Sequence, residues 1–134
     1  MNNGQRFKTD LPFHQVTYHR DVESWTFKFR TDYFTAYGLW RILENKKIRF
    51  VSLDHEQQFG LQKPIDLVSE VNELLKSKRL ETIFIKPDTS DLHLILSDNF
   101  EIEMFITSSG YESYEFSFDS KTYICQGSGE IAIF

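Results

Sequence analysis

The side chains able to do chemistry are scattered along this chain. Four histidines, His14, His19, His55 and His93, and one cysteine, Cys125, are the obvious candidate ligands and bases. None stands at metal-ligand spacing from another histidine or from the cysteine, so the sequence supports no zinc site and predicts no cofactor. Asp54-His55-Glu56 is the densest titratable cluster. As a catalytic or metal triplet it is a weak signal, because strand neighbours alternate faces and loops are full of such runs. Cys125 sits mid-strand on an aromatic face with nothing nearby in sequence to lower its pKa, which predicts a buried, inert thiol. Ser109-Gly110 lacks the flanking glycine of a nucleophile elbow, and Gly127-Ser128-Gly129 lacks the lysine and helix of a phosphate loop. Glu101 and Glu103 share one strand face, but carboxylates do glycosidase chemistry only when they line a cleft. No convergent set of polar groups emerges, and the expectation is a protein that is not an enzyme.

One segment is too specific to pass over, the hydroxyl-rich knot Ser108-Ser109-Gly110-Tyr111-Glu112-Ser113-Tyr114. It reads either as a strand-to-strand connection whose Ser and Gly satisfy turn geometry, or as a recognition surface. Tyr offers rigid amphipathic contact and Ser offers adaptable hydrogen bonds. Trp40 divides the same way, into core aromatic or exposed anchor.

The elements that must position these residues are mostly strands. Trp25, Phe27 and Phe29 alternate with Thr26, Lys28 and Arg30. Tyr33 to Leu43 places Phe34, Ala36, Gly38, Trp40 and Ile42 on one side, and Ile48 to Leu53 returns after a turn at Glu44-Asn45-Lys46-Lys47. Residues 33–53 therefore predict an antiparallel hairpin, with Gly38 marking a bulge or a close approach of another backbone. Asp54 to Lys63 reads as a loop. A helix is predicted over about 65–79, with Pro64 at its start, a stripe of Leu67, Val68, Val71, Leu74 and Leu75, and Lys76, Lys78 and Arg79 at its end. It should lie across one face of the sheet.

After the helix, Thr82 to Lys86 is a strand stopped by Pro87-Asp88. The next hairpin has an arguable register. A two-residue loop Asp98-Asn99 would bring Glu101 and Glu103 to the core side. A three-residue loop Ser97-Asp98-Asn99 instead pairs Leu96 with Phe100, Leu94 with Ile102 and Leu92 with Met104, with Asn99 left-handed. His93 then faces Glu103 on the solvent side. Tyr114, Phe116 and Phe118 form a further strand, Asp119-Ser120 turns the chain, and Tyr123 and Cys125 return opposite Phe116 and Tyr114. Gly127-Ser128-Gly129 makes a last turn before a final strand over 130–134. About nine to eleven strands and one helix predict an α+β domain, mostly antiparallel, over residues 1–134, with residues 1–10 frayed.

The totals agree with this class. A chain of 134 residues, 40% hydrophobic and 26% charged, suits one globular domain, and the 16% aromatic share, with thirteen Phe, leans toward sheet. The net charge of −5 argues against direct nucleic-acid binding. A polar start with no apolar signal core, and no long apolar run, predict a cytoplasmic protein that does not meet the membrane.

From about Tyr37 to the C-terminus the chain resembles a family of small bacterial proteins of unknown function. The likeness rests on Trp40-Arg41-Ile42, Lys47-Ile48, Ser52-Leu53-Asp54, Val71-Asn72-Glu73-Leu74-Leu75, Ser90-Asp91-Leu92 and Glu103-Met104-Phe105. The knot and the glycine turn at 127–129 complete it, although the position of Tyr114 is often tryptophan in such sequences. Many proteins of this type are suspected immunity proteins, which bind and neutralise a bacterial toxin. The resemblance implies that role and supplies no binding residues. A small acidic protein would gain association rate against a basic toxin domain. On physical grounds the expected contact surface comprises Trp40, Asp91, Glu101, Glu103, Tyr111, Glu112 and Tyr114, with the aromatics as anchors and the carboxylates pairing with Lys or Arg. The alternative is a small-ligand or regulatory domain with an apolar cavity between helix and sheet.

Overall fold

The computed structural model describes residues 4–134. Its first element overturns the expectation of a frayed start: β1 (Gln5–His19) is a long strand whose first half pairs with a later strand from Gln5↔Ile85 to Pro12↔Arg79. Residues 1–3 of the segment expected to fray lie outside the described residues. β1 escapes a simple alternation rule because it is bulged twice, between Lys8 and Leu11 and between Phe13 and Gln15. The second bulge moves the apolar set from Phe7, Leu11 and Phe13 to Val16 and Tyr18, and so reverses parity along one strand.

The chain continues through β2 (Ser24–Phe29), β3 (Asp32–Ala36), β4 (Trp40–Glu44) and β5 (Lys47–Val51). The run expected as one strand from Tyr33 to Leu43 is two strands, broken at residues 37–39. β3 pairs with β2, while β4 pairs with β5 through a turn at Asn45-Lys46, both left-handed. Gly38 sits at the break for a close approach: a Cβ there would stand 2.2 Å from Thr107 Oγ1.

The helix α1 (Leu67–Leu75) is shorter than expected. Asp66 is its N-cap, accepting from Ser69 N at 3.2 Å, so Pro64 lies outside it. Lys76 is the C-cap and Arg79 already begins the next strand, so the basic cluster does not serve the helix end. The stripe holds: Leu67, Val71 and Leu75 are buried, with Val68 and Leu74 packed at the margin. The helix lies against the second half of β1, which has left its earlier neighbour and would otherwise present open backbone. Asn72 closes that edge, its Oδ1 accepting from Val16 N at 2.8 Å and its Nδ2 donating to Val16 O at 3.1 Å.

Then follow β6 (Arg79–Ile85), β7 (Leu92–Leu96), β8 (Phe100–Met104), β9 (Tyr114–Phe118), β10 (Lys121–Cys125) and β11 (Ile131–Ile133). The β7–β8 register is the one the three-residue loop requires, with Leu92↔Met104, Leu94↔Ile102 and His93↔Glu103. Asp98 and Asn99 are both left-handed. Cys125↔Tyr114 and Tyr123↔Phe116 pair as expected. The described residues form an α+β fold: one mostly antiparallel sheet of order β11-β10-β9-β3-β2-β1-β6-β7-β8-β4-β5, with a single α-helix.

The sheet doubles over, because β1 and the 32–44 run each pass from one half to the other. Phe7 in the first half of β1 meets Phe118 and Tyr123 at 5.4 and 5.7 Å between ring centroids. Trp40 on β4 meets Trp25 and Phe27 on β2 edge-on, each at 5.1 Å. These inward rows form the core. Among the described residues no helix is long and apolar enough to cross a membrane.

Candidate protein-binding surface

The knot between β8 and β9 is held by its own hydroxyls. Ser108 Oγ accepts from Gly110 N and Tyr111 N at 3.1 and 2.9 Å. Ser113 is buried, its Oγ accepting from Thr107 N at 3.2 Å, its N–H donating to Cys125 O and its C=O accepting from Tyr37 N. Ser128 Oγ donates to Ser109 O at 3.0 Å, and a Cβ on Gly127 would stand 2.5 Å from that same carbonyl. The serines thus do the turn work, and Tyr111, 82% exposed, is left outward beside the exposed Glu112. The turn reading of the knot accounts for Ser108, Ser113 and the Ser109 carbonyl, and it leaves the Tyr111 and Glu112 side chains exposed without a part in the turn.

Several expected contact residues lie elsewhere. Trp40 and Tyr114 are both 0% exposed, which removes them from any contact surface. Each occupies an inward position of its strand, and Tyr114 Oη donates to Ser90 O at 2.8 Å. Asp91 is half-buried and its Oδ1 accepts from Ile106 N at 2.9 Å, holding the entry to the knot. Glu101 bonds Lys46 Nζ at 2.9 Å.

Glu103 was expected to stand in solvent with His93 and is instead 7% exposed. The cause is a row crossing the outer face of five strands, Arg6, Phe84, His93, Glu103 and Arg41. Arg6 lies over the Phe84 ring at 4.3 Å and Arg41 over Phe105 at 5.1 Å, so long side chains lie flat and cover the carboxylate. Glu103 accepts from Arg41 Nε and lies 3.2 Å from His93 Nε2. Burial holds the His93 pKa below the ordinary histidine range, against the pull of Glu103.

What the sequence reading missed is a second carboxylate beside the knot. Glu115 on β9 accepts from Tyr33 Oη at 2.6 Å and from Tyr37 Oη at 3.3 Å. Among the described residues it is in no ion pair. The Tyr33 phenol is raised above its usual range chiefly by the Glu115 hydrogen bond. Tyr37 is pushed up to about 12 by burial first, then by Glu115, with Glu112 contributing. Thr26 and Thr35 continue this face, bonded to each other at 2.9 Å, with His19 reaching Thr26 at 3.1 Å. Because Tyr37 N donates to Ser113 O, the Tyr33–Tyr37–Glu115 group runs directly into Glu112 and Tyr111. Such a patch accepts charge-assisted hydrogen bonds from a cation and offers aromatic faces around it.

The remaining chemical candidates are occupied. His55 Nδ1 accepts from Leu67 N at 3.1 Å, and Glu56 binds Arg20. Cys125 is buried, and burial pushes its thiol up to about 11. Among the described residues no cluster of three or more His, Cys, Asp or Glu stands where it could hold a metal. No family model, no curated protein and no solved structure matches the chain.

Proposed function

We propose that the protein is a non-enzymatic inhibitor that masks a basic protein partner, as an immunity protein masks a toxin, and that it acts in the cytoplasm. The observation that carries this reading is Glu115, a carboxylate held between two phenols and, among the described residues, in no ion pair, next to the outward Tyr111 and Glu112. A fixed charge ringed by rigid aromatics is suited to a partner's Lys or Arg, and it binds without reorganising. The net charge of −5 would speed encounter with a basic surface. Leu67, Val71 and Leu75, each 1% exposed or less, turn the helix into the core, which favours a binding surface over a cavity open between helix and sheet.

The test is protection of cells expressing the partner. Tyr111→Ala with Glu112→Ala should abolish protection while the protein accumulates at its normal level. Protection that survives both changes, and survives Glu115→Gln as well, contradicts the reading.

A further inference from the structure

The tyrosine patch continues over Tyr37 into a groove of about 660 Å³, bounded by Tyr18, Glu23, Trp25, Tyr37, Leu53 and Glu56. Its floor is aromatic: the Tyr18 and Trp25 rings lie 4.5 Å apart, and the His55 ring stands edge-on to both, at 5.0 and 4.9 Å. Since His55 Nδ1 accepts from Leu67 N, the neutral ring carries its proton on Nε2, 3.9 Å from Glu56 Oε1. The Glu56 backbone is pinned in turn, its N–H donating to Ile65 O at 2.8 Å. Glu56 stands with its carboxylate at the lip of an aromatic groove. Glu23 on the same lip is in no ion pair among the described residues, and Leu53, 72% exposed, offers apolar cover on the rim.

A neighbouring depression of about 400 Å³ shares Tyr18, His55 and Glu56 with the groove and already seats one guanidinium, that of Arg20. Arg20 Nη1 and Nη2 donate to Glu56 Oε1 and Oε2 at 2.8 and 2.6 Å, and the guanidinium carbon lies 5.6 Å from the Tyr18 ring centroid. Both side chains are well open to water, with 69% and 44% exposure, so the pair holds weakly and is easily exchanged. We infer that the groove receives an arginine side chain of the partner, which displaces Arg20 from Glu56 and lies against Tyr18, with Trp25, 4% exposed, buried beneath that ring. Arginine fits better than lysine, because a planar fork meets a carboxylate with two bonds and stacks on aromatic faces. The inference deepens the reading of the patch as a binding surface and rests on it.

A peptide titration tests it without any partner. The full chain, isotopically labelled, is titrated with acetyl-Gly-Arg-Gly-amide while the Trp25 indole resonance is followed, and a citrulline peptide serves as the uncharged control. The arginine peptide should move that resonance saturably and the citrulline peptide should not. Glu56→Gln should weaken the apparent affinity about tenfold or more, whereas Arg20→Ala should tighten it by removing the competitor. A silent Trp25, an equal response to citrulline, or indifference to both substitutions overturns the inference. The two readings fail separately. If the peptide binds but the Tyr111, Glu112 and Glu115 variants still protect cells, the patch reading falls. If those variants fail to protect and the peptide is silent, the groove alone falls.

Discussion

Glu103 and Glu115 sit on outer faces of the same sheet, yet their neighbours give them opposite uses. Glu103 is covered and paired by Arg41 and His93, and its charge is spent within the fold. Glu115 accepts from two phenols and is in no ion pair among the described residues. Alternation along a strand assigns a face, and it cannot say which outer-face carboxylate finds a cation. The phenols also set an alkaline limit on stability. The folded Tyr37 phenol is raised from 10.0 to about 12 and the Cys125 thiol from 9.0 to about 11, so both neutral forms favour the folded state. Their contribution is full below the unfolded values and is lost as pH rises through the folded ones. The melting temperature should therefore fall steadily between pH 9 and 12, and a flat profile there would contradict the assignment. Trp40 carries a residue-scale prediction of its own. Trp40→Ala should cost about 3–5 kcal/mol in urea unfolding. Trp40→Phe should cost well under half of that, because among the described residues Trp40 Nε1 has no hydrogen-bond partner to lose.

At the scale of elements, the hairpin β7–β8 was readable in full because one local choice, the loop length, fixes every pair in it. β1 was not, since two bulges break its parity and much of its reason for being a strand lies in β6, far along the chain. The helix was readable in its apolar stripe and misjudged at its ends. Its cap is Asp66, and the lysines beyond it belong to the connection into β6. What holds the helix in place is Asn72, whose amide stands in for a neighbouring strand at Val16. Asn72→Ala should destabilise the fold by about 1–3 kcal/mol by leaving part-buried backbone groups unpaired. It should also speed amide exchange at Val16 well before global unfolding. Unchanged exchange at Val16 would show that the helix, not the amide, protects that edge.

At the scale of the whole molecule, the candidate surface exists only because strands far apart in the chain are neighbours in the sheet. Tyr33 and Glu115 are 82 residues apart and meet only because β3 pairs with β9. The sequence could point to Tyr111 and Glu112, which are adjacent and stand on a visibly unusual segment. It could not point to Tyr33, Tyr37 and Glu115, whose proximity is a property of topology. The most direct measurement is calorimetric titration of the partner recovered by co-purification from the native host. The native chain is compared with a chain carrying Tyr111→Ala, Glu112→Ala and Glu115→Gln, both first shown to melt at the same temperature. Affinity should drop by at least about a hundredfold in the altered chain, the loss expected when central anchors are removed. Equal affinity of the two chains would contradict the claim that this face makes the contact.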